Sequence, residues 1–200
     1  MSEAYRALRG DARALALATI FDKPEQRDIT CDLLQLGLEL EKIIEIASEP
    51  MLAMIRMQWW VDLYDATTIQ AEAPDFAKRL HAHQAIAKAD LLQIVHMTQD
   101  SLQSPSPAVA WEAVFYAIAA ANGWSIDKIV LTRLGRNFSS LYRTEDEADY
   151  QPIADSAIKQ ASKGNYGFMR LVNLLTTRQI SGKPNQDFLL VFRYLLRVLF

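Results

Sequence analysis

The stretch PEQRDITCDLLQLGLELEKIIEIASEPMLAMIRMQWW, residues 24–60, contains two successive helix patterns separated by a proline. In the first pattern apolar residues recur at steps of four and three, which places them on one face of an α-helix. They are Ile29, Leu33, Leu36, Leu40, Ile43 and Ala47. Pro50 then suits the first turn of a second helix, where its missing N–H would have no partner within the helix. The stretch therefore predicts helices over 24–47 and 50–66.

In the rest of the chain, too, prolines mark the starts of predicted helices. All seven prolines can be placed at or near helix starts, and alternating strand patterns bounded by hairpin turns are absent. Further helices are predicted over 5–20, 75–100, 107–130, 131–143, 152–178 and 184–200. Breaks at 103–107, 144–152 and 181–185 separate helices without dividing the chain into domains. We expect one all-α domain over residues 1–200, a length that is ample to bury a core.

Composition and charge exclude several classes of protein. The net charge of −3 argues against a general nucleic-acid binder, which needs a basic surface. Cys31 stands alone, so neither an internal disulfide nor a multi-cysteine zinc site can form, and we expect this thiol to be a small buried apolar group.

Targeting signals are also missing from the sequence. The N-terminus lacks a signal-peptide core, and no apolar run reaches the ~20 residues of a membrane-spanning helix. The nearest is FLLVFRYLLRVLF (188–200), which Arg193 and Arg197 interrupt. The sequence predicts a cytoplasmic bacterial protein, or a mitochondrial matrix protein whose leader has been removed.

The second helix is apolar over most of its circumference. At 100° per residue, an apolar stripe with a spread of about 80° contains Leu52, Ile55, Trp59 and Leu63. Trp60 lies about 100° from Trp59, on the side of Met57 and Tyr64, so the two indoles cannot point the same way. We expect the cluster of methionines and tryptophans in this helix to be plain core rather than a ligand pocket, since methionine fills irregular gaps well.

Arg56 interrupts the apolar stripe and needs a polar environment for its head group. Three interpretations remain open: a head group in solvent, a buried ion pair, or the binding of an anion such as a diphosphate. Of these three, we favour an ion pair with Glu41, Glu45 or Glu49.

The segment SEPMLAMIRMQWW (48–60), with the helix before it, resembles the N-terminal part of the squalene/phytoene synthase family. The resemblance continues more weakly through YAIAAANGW (116–124) and LTRLGRNFSSLYR (131–143). It implies an isoprenoid-synthase-like helical bundle around a central cavity. The candidate residues for the lining of this cavity are Trp59, Trp60, Tyr116, Asn122 and Phe138. The residues that carry the match are Phe21, Arg27, Asp28, Glu49, Pro50, Met51, Leu52, Ile55, Arg56, Gln58, Trp59, Trp60 and Asp62.

Catalytic members of that family join two prenyl diphosphates head to head, using Mg²⁺ held by two aspartate-rich motifs. The resemblance places the first motif on EKIIE (41–45), with Glu41 and Glu45 as the outer metal ligands. Lys42 occupies the inner acid position, and Leu38 replaces a basic residue that is usual upstream. The second motif should follow residue 138, but its acids lie at 145–149, in a predicted hinge beyond the helix.

These departures favour a non-catalytic member of the family that binds a protein partner. Within the family, the chain resembles the branch that contains a mitochondrial complex I assembly factor. We expect no cofactor in that case. The alternatives are a Mg²⁺-dependent prenyl transferase, a carrier of an apolar or prenyl ligand, and a peripheral membrane contact through residues 188–200.

Overall fold

The computed structural model describes residues 2–20, 23–47 and 49–139. Within these ranges all regular structure is helical, which confirms the all-α class. The helices are α1 (Glu3–Asp11), α2 (Arg13–Ala18), α3 (Pro24–Ile46), α4 (Pro50–Asp65), α5 (Asp75–Ala82), α6 (Lys88–Ser101), α7 (Trp111–Ala121) and α8 (Lys128–Ser139). No helix in these ranges combines the length and the apolar character needed to cross a bilayer. The helices predicted over 152–178 and 184–200 lie outside the described residues.

Helix α3 is the centre of the fold, because α1, α4, α5 and α7 all pack against it. The stripe predicted for it is confirmed: Leu33, Leu36 and Leu40 are fully buried, and Ile29 is buried as well. Ile43 and Ala47 are half-buried and pack against the same core. An apolar face of this length accounts for the central position of α3.

Two of the predicted helices are interrupted. The helix expected over 5–20 breaks at Ala12, whose backbone leaves the helical conformation (φ −145°, ψ 76°), so α1 and α2 are separate. The helix expected over 75–100 ends at Ala82, and α6 begins only at Lys88. There the Nδ1 atom of His83 accepts a hydrogen bond from the backbone N–H of Ala85, a local bond that competes with helix continuation.

The last two described helices are also shorter than expected or shifted. Helix α7 ends at Ala121, and the turn that follows contains Gly123 with φ +64°, a conformation that glycine adopts without strain. Helix α8 begins at Lys128 rather than at 131, after Asp127 accepts a hydrogen bond from the N–H of Ile129 at 2.7 Å.

Two glycines allow neighbouring helices to approach closely. A methyl group on Gly37 of α3 would lie 2.7 Å from ring atoms of Trp111 on α7. A methyl group on Gly135 of α8 would overlap the backbone of Glu112. Helix α7 is therefore held between α3 and α8 at distances that larger side chains would not allow.

Candidate functional site

Glu41, the first candidate metal ligand, is buried at the start of α7. Its side chain is 4% exposed, and its Oε1 atom accepts hydrogen bonds from the backbone N–H of Val109 (3.4 Å) and the indole N–H of Trp111 (3.1 Å). A carboxylate beside a helix N-terminus also interacts favourably with the helix dipole. Glu41 therefore takes part in the structure of this junction.

Other side chains complete the same junction, which comprises residues 108–110. Thr98 Oγ1 of α6 accepts from the N–H of Ala110 at 3.2 Å, and Ser139 of α8 donates its hydroxyl to the carbonyl of Val109 at 3.2 Å. Ser101 of α6 is bonded to both backbone groups of Ala108. Because buried backbone groups need partners, these side chains replace the bonds that a continuous helix would supply.

Glu45, the second candidate ligand, lies in a different environment from Glu41. It is exposed at the end of α3, while Lys42 between them pairs in solvent with Glu39 (2.7 Å). Among the described residues, no group of three or more His, Cys, Asp or Glu side chains could hold a metal ion. The donors present near Glu41 do not fit Mg²⁺, because its Oε1 atom is already committed to two buried N–H groups. The acids at 145–149 lie outside the described residues.

Helix α4 is apolar on two opposite faces. The face turned inward contains Met57, Trp60 and Tyr64. The helical angles had placed these three residues on one side of the helix. The opposite face is exposed, with Met51 at 71%, Ile55 at 62% and Trp59 at 37%. The expectation that the methionines and tryptophans of this helix are core is therefore confirmed for Met57 and Trp60 and wrong for Trp59, because α3 and α6 pack against the inward face. Of the predicted stripe, Leu63 is buried.

We call this exposed surface the α4 ribbon. It also includes Leu52 (44% exposed) and the last residue of α3, Ile46 (67%). Its flanks are acidic, since Glu45, Glu49 and Asp62 are all exposed. Asp62 is held along the helix by the side-chain amide of Gln58 at 2.8 Å. The ribbon is thus an apolar strip between carboxylates.

Arg56 lies at the edge of the α4 ribbon and is exposed. No ion pair joins it to a carboxylate of the described residues, and neither Glu45 nor Glu49 is its partner. The favoured buried pair was therefore wrong. The physical reason is that the helix face around Arg56 is turned away from the core, so its guanidinium reaches water without crossing apolar surroundings.

The five candidates for a cavity lining do not meet in one place. Trp59 lies on the outer surface, perpendicular to Trp60 at 4.9 Å between ring centroids. Trp60 is 4% exposed and stacks on Tyr64 (5.9 Å) and Phe76 (5.8 Å). The two indoles therefore point in different directions, as expected.

The other three candidates belong to α7 and α8. Phe138 packs edge-on against Trp111 (4.5 Å) and Phe115 (5.6 Å) in an aromatic cluster that shares no residue with that of Trp60. The Tyr116 hydroxyl donates to the carbonyl of Lys128 at 3.2 Å. Asn122 ends α7, and its amide donates to Thr30 of α3 at 3.2 Å. Each of these side chains stabilises a contact between helices.

An ion pair between a buried aspartate and a half-buried arginine was missed in the sequence. Asp32 of α3 is 4% exposed and accepts two hydrogen bonds from the guanidinium of Arg79 on α5, at 2.7 and 2.8 Å. Burial raises the pKa of Asp32 above its ordinary value, although the bonds from Arg79 oppose the shift. The signal was present, because Asp32 stands beside apolar Leu33 and Leu34 in the most buried part of α3 and must have a partner there.

Tyr64 lies in the same region and is fully buried. Its hydroxyl has no hydrogen-bond partner among the described residues, and burial together with the nearby Asp32 raises its pKa. Such a group donates or accepts poorly in acid–base chemistry at neutral pH. The region around Asp32 is therefore a structural centre that joins α3, α4 and α5.

No family model, no curated protein and no solved structure matches this chain. The family membership expected from the motif at residues 48–60 therefore stays a prediction.

Proposed function

We propose that this protein is a non-catalytic member of the squalene/phytoene synthase family that binds a protein partner through the α4 ribbon, in a bacterial cytoplasm or a mitochondrial matrix. The observation that carries the proposal is the position of Glu41. The residue at the place of the first metal ligand is used to hold the start of α7.

Metal binding at Glu41 would conflict with this structural role. A Mg²⁺ ion takes oxygen ligands at short distances and in nearly ideal octahedral geometry. If Oε1 turned to such an ion, the N–H groups of Val109 and Trp111 would lose their acceptor in a buried region. An unpaired buried donor costs about 1–3 kcal/mol, so the structural use of Glu41 opposes its use as a ligand.

The α4 ribbon supports the second half of the proposal. Large apolar side chains that adjoin one another on a surface mark interaction sites more often than isolated exposed residues do. Trp59 and Met51 are side-chain types that are enriched where proteins meet. The carboxylates of Glu45, Glu49 and Asp62 favour a partner that presents basic residues beside an apolar face.

An enzyme assay tests the proposal that the protein is not catalytic. The chain of residues 1–200 is incubated with farnesyl or geranylgeranyl diphosphate and Mg²⁺, and we expect no coupled prenyl product. Product that forms with the wild type and disappears in Glu45→Ala would overturn the proposal. Glu45 is the better position for this variant because it is exposed and its loss leaves the α7 junction intact.

Affinity purification at native expression tests the partner. The wild type, Ile55→Glu and Ile129→Glu are compared, because Ile129 on α8 is exposed to a similar extent (68%) as Ile55 (62%). We expect a specific protein to copurify with the wild type and with Ile129→Glu and to be lost with Ile55→Glu. Equal recovery with all three proteins would remove the α4 ribbon as the binding surface.

A further inference from the structure

Two exposed charges of the α4 ribbon have no ion-pair partner within the described part of the chain. Arg56 lies at the edge of the ribbon, Glu49 immediately precedes α4, and neither joins an opposite charge there. Charged groups beside an apolar surface select the partner and its register. We propose that the α4 ribbon binds a second copy of this chain, with the two α4 helices antiparallel and Arg56 of each copy paired with Glu49 of the other.

Glu49 and Arg56 lie on the same edge of the ribbon but too far apart to pair with each other. Seven positions at 100° per residue bring them within about 20° of one another around the helix. Two turns separate them, about 10.5 Å along the axis, whereas side chains that meet on a helix are three or four positions apart. Each copy therefore presents an acid and a base along one edge at a fixed spacing.

An antiparallel pair with two-fold symmetry brings these charges together. Each contact in such a pair occurs twice, because the same surface is used by both copies. The symmetry keeps each edge of the ribbon beside the same edge of the second copy. With the two-fold axis between positions 52 and 53, Arg56 of each copy lies level with Glu49 of the other, so two pairs of opposite charge form. In a parallel pair these residues would lie on opposite edges and could not meet.

The same register brings apolar residues of the ribbon into contact. Leu52 lies next to the two-fold axis and meets Leu52 of the second copy, while Met51 lies almost level with Ile55. These three side chains are 44%, 71% and 62% exposed in the single chain. Their removal from water supplies the free energy of association, and the charge pairs select the antiparallel register.

The size of the interface predicts a reversible dimer. Helix α4 has 16 residues and is about 24 Å long, so one pair of such helices is at the lower end of the size range of specific interfaces. We therefore expect a dissociation constant in the micromolar range.

The dimer uses the surface of the proposed function but does not depend on that function, because it requires no other protein. A different protein that binds the α4 ribbon must replace the second copy. Its apparent affinity then scales with the fraction of chains that are monomeric.

Sedimentation equilibrium of the chain of residues 1–200 tests the dimer and its register. We expect the wild type to pass from one chain to two as its concentration rises through the micromolar range. Arg56→Glu and Glu49→Arg each place like charges opposite one another, so each should raise the dissociation constant about tenfold, since two exposed pairs are lost at once. Arg133→Glu is the matched control, because Arg133 is an exposed arginine on α8, and it should leave the dissociation constant unchanged.

A mixture of the two single variants tests the register most sharply. In a mixed pair one copy contributes acids at both positions and the other contributes bases, so both pairs of opposite charge are restored. We expect the equimolar mixture, and the double variant Arg56→Glu with Glu49→Arg, to dimerise as the wild type does. Such recovery also shows that the single variants are folded.

Other outcomes would overturn the dimer. A wild type that stays a single chain at every concentration would remove it and leave the proposed function to the affinity purification with Ile55→Glu. A dimer that Arg56→Glu leaves unchanged would use another surface or register. Single variants that dissociate and do not recover in the mixture would show that these charges do not pair across the axis.

Neutral substitutions replace the charge reversals if a single variant loses its helical circular dichroism. Arg56→Gln and Glu49→Gln each remove both charge pairs without adding like charges. A weaker dimer is expected from each, and an unchanged dissociation constant would count against the pairing.

Discussion

The carboxylate of Glu41 accepts a hydrogen bond from the indole N–H of Trp111 at 3.1 Å, so a residue of α3 holds the first residue of α7. The same oxygen accepts from the backbone of Val109. A position that the family resemblance marks for metal chemistry thus contributes to the stability of the bundle.

Replacement of Glu41 should therefore destabilise the protein. We expect Glu41→Ala to lower the free energy of unfolding by about 2 kcal/mol, because two buried N–H groups lose their acceptor. Glu41→Gln keeps an oxygen acceptor and should lose less. Urea denaturation measures both. Glu45→Ala is the control, since this exposed residue should change stability by no more than about 0.5 kcal/mol. Equal losses at 41 and 45 would contradict the structural role of Glu41.

The close contact of α7 and α8 gives a second prediction. Gly135→Ala should lower the free energy of unfolding by about 2 kcal/mol, because the added methyl group meets the backbone of Glu112 and the helices must separate. Gly10→Ala is the matched change, since nothing lies within 4 Å of its added methyl group. There we expect a gain of about 0.5 kcal/mol from reduced chain entropy in the unfolded state. Thermal melts distinguish the two, and a stable Gly135→Ala protein would contradict the packing described for α8.

The pair of buried Asp32 and half-buried Arg79 predicts a dependence on pH. Burial raises the pKa of Asp32 in the folded protein, so the native state binds a proton more readily than the unfolded state, and stability from this group falls as pH rises above the ordinary pKa. Arg79→Met removes the bonds that oppose the shift, so the pKa rises further and the fall extends to higher pH.

We expect Arg79→Met to lower the free energy of unfolding by about 3 kcal/mol at pH 7, with a smaller loss at pH 5 where Asp32 takes up a proton. Urea denaturation at the two pH values checks the sign. Lys78→Met is the control on the same helix, because Lys78 pairs with Asp75 at 3.3 Å on the surface. A loss with Arg79→Met that does not change with pH would contradict the role of a charged Asp32.

Cys31 should be inert in the folded protein. It is fully buried beside the hydroxyl of Thr19 (3.5 Å), and burial raises the pKa of its thiol to about 12. Because the thiolate is the reactive form, we expect alkylation at pH 8 to be about 100-fold slower in buffer than in denaturant. Mass spectrometry of alkylated protein measures both rates. Rapid alkylation without unfolding would place Cys31 at the surface and contradict its position in α3.

The helical class and the buried face of α3 could both be predicted from the sequence. A helix with a single apolar stripe turns that stripe toward the core, so the stripe identifies the buried face. It was insufficient for α4, which is apolar on two faces. Periodicity shows that both faces are apolar but not which one α3 and α6 cover, and that choice exposed Ile55 and Trp59.

The candidate site shows the same limit. The spacing of Glu41 and Glu45 correctly places them on one side of α3, but only the packing of residues 108–110 buries one and leaves the other exposed. The pair of Asp32 and Arg79 spans 47 positions in sequence, and no local pattern links its members.

The junction at residues 108–110 also has a consequence for the order of events on the ribosome. Its partners come from α3, α6 and α8, and Ser139 is made long after Glu41. Because the chain emerges from its N-terminus, the earlier helices leave the exit tunnel before this junction can be completed. We expect nascent chains to stay sensitive to protease at residues 108–110 until Ser139 has emerged, so that translation itself sets when the helical core closes.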